Sequence, residues 1–190
     1  MAGKQLTRCC ACQQAANWQR AGHGPLRVAV NLSSRQFREP GLADLIRAAL
    51  RESGLAPSCL ELELTESLVM DDVDLAICAM RELKAMGVQL AIDDFGTGYS
   101  SLAYLKLFAI DRIKIDRGFV KDIEHNPNDA VIVAATIGLA HSLGLAVVAE
   151  GVETQAQWGF LRDKRGDEAQ GYLFARPMPA LAPVMSRVLL

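Results

Sequence analysis

Residues 91–101 read AIDDFGTGYSS, the continuation of an apolar run, Val88–Ile92, that ends on two adjacent acids before a loop of two glycines, a threonine and two serines. The pattern is that of a buried strand delivering charge to a pliable mouth. On a regular strand, neighbouring side chains point to opposite faces, so Asp93 and Asp94 serve one site only if the chain turns directly after them. Gly96 and Gly98 make that turn conformationally easy. Read alone, the stretch fits equally well two solvated turn acids followed by a serine cap. The rest of the chain decides between these readings.

Working outward, Thr7–Arg20 reads as a helix ended by Gly22 and Gly24, and Leu26–Val30 as a short strand ending on Asn31. Leu42–Glu52 is an amphipathic helix closed by Gly54. Strand Leu60–Leu64 alternates leucine with Glu61 and Glu63 and ends in Thr65-Glu66-Ser67. Asp71 or Asp72 caps a helix that runs to Met86. Beyond the opening stretch, a short helix from about Ser101 to Leu107 leads into strand Arg112–Ile115, where Lys114 sits among isoleucines. Asn128 or Asp129 starts an apolar helix ending at Gly144, and Leu145–Ala149 is a strand ending on Glu150-Gly151-Val152-Glu153. Thr154 and Gln157 have the spacing of a capping box. Gln170–Phe174 is read as the last strand.

Six strands spaced roughly 23 to 34 residues apart and separated by helices predict parallel pairing with right-handed crossovers. Their near-continuous apolar character fits a sheet covered on both faces. Polar residues recur at the carboxyl ends: Asn31, Glu63 and Glu66, Asp93 and Asp94, Lys114 and Asp116, Glu150 and Glu153, and Gln170. Independent surface acids would scatter over both ends. In a β/α barrel the carboxyl ends share one face, and active sites are built there.

Composition narrows the function. The chain has 190 residues, 51% of them hydrophobic and 22% charged, enough for one sizeable core and one domain. A net charge of −2 gives no basic field for gripping a DNA or RNA polymer. Five cysteines, three of them clustered at Cys9, Cys10 and Cys12, do not form a disulfide framework and predict a reducing, cytoplasmic setting. The Cys9/Cys12 pair lacks the second well-spaced pair that a zinc site requires. The stretch Ala130–Ala149 carries no formal charge, but Gly144 divides it into a helical half and a β-branched half, so a buried helix and strand are expected instead of a membrane span.

Several carboxylates converging on one face cannot all remain ionised without compensating positive charge. Oxygen ligands with one amide and no cysteine or histidine favour hard cations such as Mg²⁺ or Mn²⁺. Two such ions can flank a phosphoryl group, with Lys114 as a fixed donor toward the attacking water.

The motifs NLS at Asn31–Ser33, ELTES at Glu63–Ser67, DDFGTGYSS at Asp93–Ser101, KIDRGFV at Lys114–Val120, AEGVET at Ala149–Thr154 and QGYLFARPMPA at Gln170–Ala180 together resemble the EAL domain, the bacterial phosphodiesterase that opens cyclic di-GMP to linear pGpG. The resemblance runs from about Gly3 to Ala180. It implies a TIM-type barrel with two Mg²⁺ or Mn²⁺ ions at its mouth, held by Asn31, Glu63, Asp93, Asp94 and Glu150. It further implies that Lys114 holds the catalytic water, that Gln170 supports the water or metal shell, and that Glu66 and Glu153 are accessory glutamates. Glu66 would brace the loop Phe95, Gly96, Thr97, Gly98, Tyr99, Ser100 and Ser101, which in the family couples the site to a dimer interface.

The family's first two strands, and the Glu-Ala-Leu signature with its metal-binding glutamate, have no counterpart in this sequence. The expectation is therefore an α/β fold: an incomplete TIM-type barrel with about six parallel strands and flanking helices. Residues 1–24 would be a lead-in helix and loop, and 181–190 a C-terminal tail. An open barrel exposes strand edges and interior side chains, which predicts a homo-oligomer that covers them. Hydrolysis would be impaired, with a non-hydrolysing module for cyclic di-GMP or a protein partner as the alternative.

Overall fold

The computed structural model describes residues 2–98, 102–177 and 187–190. In chain order the elements are α1 (Ala2–Trp18), β1 (Val28–Leu32), α2 (Ser34–Phe37), α3 (Leu42–Ser53), β2 (Leu60–Thr65), α4 (Glu66–Asp71), α5 (Val73–Ala85), β3 (Gln89–Phe95) and α6 (Leu102–Leu105). There follow β4 (Arg112–Ile115), α7 (Arg117–Lys121), α8 (Pro127–Ser142), β5 (Ala146–Glu150), α9 (Gln155–Asp163), β6 (Glu168–Gln170) and β7 (Arg187–Leu189). The strands lie in one sheet in sequence order, and β1 to β6 are parallel.

The sheet is curled. β1 and β6 stand five places apart, about 24 Å in a flat sheet at ~4.8 Å per strand. Yet Arg27, directly before β1, lies 3.5 Å from Glu168 on β6. The result is an incomplete barrel whose concave face carries Glu61 and Glu63 of β2, Asp93 of β3, Arg112 and Lys114 of β4, and Glu150 of β5. The convex face is apolar. Leu62, Leu64, Leu90, Ile92, Ile113, Ile115 and Val147 are all buried there, beneath helices.

Those helices follow the 3.6-residue period. α3 buries Leu42, Ile46, Ala49, Leu50 and Ser53, and α5 buries Ala76, Met80 and Leu83. Each buried leucine or isoleucine contributes about 1.5–3 kcal/mol of transfer free energy. The N-caps are Asp72 for α5, one of the two expected acids, and Thr154 with Gln157 for α9, the expected capping box. For α8 the cap is Asn126 instead of Asn128 or Asp129, because Pro127 occupies the first helical position and puts the cap one residue earlier. Residues 130–149 divide into α8 and β5, and among the described residues no helix is long and apolar enough to cross a membrane.

Two sequence expectations change. The last parallel strand ends at Gln170, and residues 171–174 turn instead of extending. Gly171 packs so closely on Val152 that a Cβ would stand 2.1 Å from the Val152 carbonyl oxygen. Leu173 N–H donates to that same oxygen. The expected tail also contributes structure, because Arg187–Leu189 pairs antiparallel with β6, placing Val188 opposite Ala169. At the other edge, β1 pairs only with β2 among the described residues, and its concave-facing Ala29 and Asn31 are exposed.

Candidate active site at the barrel mouth

Lys114 organises the mouth. Its side chain is 3% exposed, and its Nζ lies 3.0 Å from Glu63, 2.9 Å from Asp93 and 2.7 Å from Glu150. Four successive strands, β2 to β5, thus send one side chain each to a single point. Burial by itself would lower the Lys114 ammonium, but Glu63, Glu150 and Asp93 outweigh it and hold the group well above the ordinary lysine range. The lysine is charged at any physiological pH and serves here as an ion-pair donor.

Asp93, Asp94 and Glu150 bring carboxylate oxygens within 4.8 Å of one another. The device that unites the two adjacent aspartates lies within the strand itself. Pairing of β3 with β4 shifts register between Ile92 and Phe95, and Asp94 adopts a left-handed backbone with φ of 54°. An irregularity at this point turns the second acid toward the same mouth as the first. The glycines act one step later. Gly96, with φ of +99°, donates its N–H to Glu66 Oε2 at 2.8 Å. Gly98 lies directly over Glu66 Oε1, where an added Cβ would be 2.8 Å away. Glu66 is buried and holds the described part of the loop, Phe95–Gly98; Tyr99, Ser100 and Ser101 lie outside the described residues.

Asp94 is raised above the ordinary aspartate range, first by burial and then by the charges of Asp93 and Asp116. Glu150 is raised too, by burial foremost, against the opposing pull of Lys114. This is a site with more buried negative charge than one ammonium offsets. A cluster of hard oxygen donors in that state fits a divalent cation of the Mg²⁺, Mn²⁺ or Ca²⁺ type.

The other anticipated residues take more peripheral places. Asn31 ends β1 in register with Glu63 and is exposed. Gln170 ends β6 in register with Glu150. Glu153 is exposed on the turn after β5, its N–H donating to Gln157 Oε1. Asp116, to which the sequence reading gave no role, makes a side-chain hydrogen bond with Asp94 and caps α7 by accepting from Gly118 N–H. Its signal was the Asp-x-Gly spacing at Asp116–Gly118, typical of a helix cap.

A curled parallel β/α sheet with an acid cluster around a buried lysine at its carboxyl ends defines a TIM-like barrel with its site at the mouth. The EAL domain family model matches residues 5–177, and the chain belongs to that family. It is 49% identical over 170 residues to the bifunctional diguanylate cyclase/cyclic di-GMP phosphodiesterase MucR of Pseudomonas aeruginosa, covering 90% of this chain and 25% of MucR. The solved c-di-GMP complex of the PaMucR phosphodiesterase superposes with a TM-score of 0.90 at 47% identity, covering 93% of this chain and 72% of that one. The manganese and cyclic di-GMP complex of Klebsiella pneumoniae BlrP1 superposes at 0.86 with 31% identity, covering 100% of this chain and 50% of that one. The chain thus spans about a quarter of the length of MucR.

Proposed function

We propose that this chain is a metal-dependent cyclic di-GMP phosphodiesterase module that opens its substrate to linear pGpG. The observation that carries the reading is the meeting of Glu63, Asp93 and Glu150 around Lys114, with Asp94 beside them. The names of its relatives and the ligands in their solved complexes support the same reading.

In this account Asp93, Asp94, Glu150, Glu63 and Asn31 hold Mg²⁺ or Mn²⁺. Bound there, the metal supplies charge neutralisation of the phosphodiester and acidification of a water. Asp93, Asp94 and Glu150 impose the spacing of the oxygen donors, and Asp116 orients Asp94. Lys114, permanently charged and fixed by three carboxylates, donates a hydrogen bond to the attacking water and holds it in line with phosphorus. One phosphorus–oxygen ester bond breaks as a bond to the water oxygen forms, and the expelled ribose oxygen takes up a proton. Gln170 steadies the water, and Glu66 holds the loop over the mouth, with Glu153 in an accessory place.

The second reading is a module that binds cyclic di-GMP, or a protein partner, without hydrolysis. The exposure of Asn31 on an outermost strand favours it, because a ligand set that includes Asn31 is then open to solvent on one side. Titration with cyclic di-GMP in Ca²⁺, followed by exchange into Mn²⁺ and chromatography, separates the readings. Binding followed by pGpG supports the enzyme, binding without product supports the second reading, and no binding overturns both. We further infer a homo-oligomer that covers the open edge at β1. A single monomeric species in sedimentation would overturn this.

A further inference from the structure

Beneath the mouth, the concave face carries a second layer of charge to which none of the roles above extends. Arg112 Nη1 lies 3.0 Å from Glu61 Oε2, and Arg112 Nη2 lies 3.3 Å from Glu168 Oε1. Arg27 Nη1 reaches the same two carboxylates at 3.7 Å and 3.5 Å. The Glu61 side chain is fully buried, and that of Arg112 is 10% exposed. Two guanidiniums and two carboxylates make this layer formally neutral, unlike the acidic mouth above it.

The two layers share their strands. Glu61 and Glu63 stand two residues apart on one face of β2, and Arg112 and Lys114 do the same on β4. Between them runs β3, where Ala91 is in register with both Glu63 and Arg112. Its small side chain leaves room for pairs to form across the strand. Two acids facing two bases admit two arrangements. The straight one pairs Glu61 with Arg112 and Glu63 with Lys114. The crossed one draws Lys114 down to Glu61. An ammonium is a flexible point charge that accepts either acid, whereas a guanidinium fork engages two carboxylates in a fixed plane.

We propose that Arg112, assisted by Arg27, is a positioning residue that saturates Glu61, denies Lys114 the lower acid, and so keeps the Lys114 Nζ in the mouth. Glu61 is otherwise the most buried carboxylate within reach of β4, and a buried carboxylate left without a partner attracts the nearest cation strongly. The straight arrangement follows from the fork dividing between Glu61 and Glu168. The consequence for hydrolysis rests on the role given to Lys114 above, but the pairing itself does not.

The test is the ¹⁵Nζ signal of Lys114 in lysine-labelled chain, assigned by its loss in Lys114→Met, together with turnover of cyclic di-GMP in Mn²⁺. In Arg112→Met the signal moves and turnover falls about tenfold or more. In Glu61→Gln/Arg112→Met, where the lower acid carries no charge, the signal returns and turnover recovers to within about threefold of the parent, as expected when both members of a buried pair are removed together. A Lys114 signal unmoved in Arg112→Met overturns the proposal. So does a signal that moves but is not restored in the double variant, which would mean that Arg112 acts through packing alone. If Arg112→Met does not fold, Arg112→Gln, which still donates an amide N–H to Glu61, decides in the same way. A chain that shows the signal changes but no turnover upholds the pairing and counts against the hydrolytic reading only.

Discussion

Lys114 Nζ lies 2.7 Å from Glu150 Oε1 across the neighbouring strands β4 and β5, nearer than it lies to Glu63 or Asp93. Removing the lysine would leave three carboxylates in the mouth without their shared cation. The raised Lys114 value means that its contribution to stability is fully present below the unfolded lysine range and is lost only as pH rises through the folded value. The effect of Lys114→Met is therefore constant across neutral pH. The variant should lose about 3–5 kcal/mol of metal-free stability in denaturant melts. Mn²⁺ should restore more of that loss in the variant than it adds to the parent, while hydrolysis falls. Equal metal-induced stabilisation of both would show that Lys114 and the cation do not share the same charge.

Asp94 and Glu150 retain protons in the folded chain at a pH where the unfolded chain has released them. The unfolded state then binds fewer protons than the folded one, so stability declines as pH rises from the ordinary carboxylate range through the raised values. The melting temperature of metal-free protein should fall over that span, and Ca²⁺ should flatten the slope. Asp94→Asn should reduce the slope without metal and weaken Mn²⁺ binding by about tenfold or more. A metal-free melting temperature that climbs across the same span would contradict the crowding of these acids.

Gly98→Ala places a methyl group 2.8 Å from Glu66 Oε1 and displaces either the loop or the glutamate that holds it. Turnover should fall while Ca²⁺ affinity and melting temperature stay near the parent values, because neither the acid cluster nor the core is touched. Glu66→Gln retains an acceptor for Gly96 N–H and should keep more activity than Gly98→Ala. The reverse order in side-by-side kinetics would remove the loop contact from the mechanism.

Val188→Pro tests β7. Proline cannot donate to the ladder, and the loss of one strand hydrogen bond costs about 1 kcal/mol. For a chain of this size that corresponds to a melting temperature lower by roughly 2–4 °C. No change in calorimetry would mean that the edge strand contributes nothing to stability.

Most of the scaffold was legible because parallel strands buried on both faces read as apolar runs, and because their carboxyl ends kept returning polar residues. Glu63, Glu66, Asp93, Lys114 and Glu150 were found in that way. What escaped notice depends on geometry that one-dimensional spacing does not carry. The bulge at Asp94 leaves no mark in AIDDF. β7 is three residues long, and its pairing to Ala169 depends on where the chain returns. Arg112 looked like the solvated end of a strand until Glu61, fifty-one positions earlier, was seen across β3. Asp116 was visible as a polar strand end, but its contact with Asp94 exists only because Asp94 turns.

The left-handed residue at Asp94 also sets what the mouth can tolerate. Since both acids reach the mouth through one irregular step, deleting a single residue between Ile92 and Phe95 would restore an even alternation and send one carboxylate to the apolar exterior. Lengthening the stretch by one would slide Phe95 against the lysine. The mouth can therefore be altered by exchanging side chains, but its residue count is fixed, like the number of teeth on a gear that must mesh with four others.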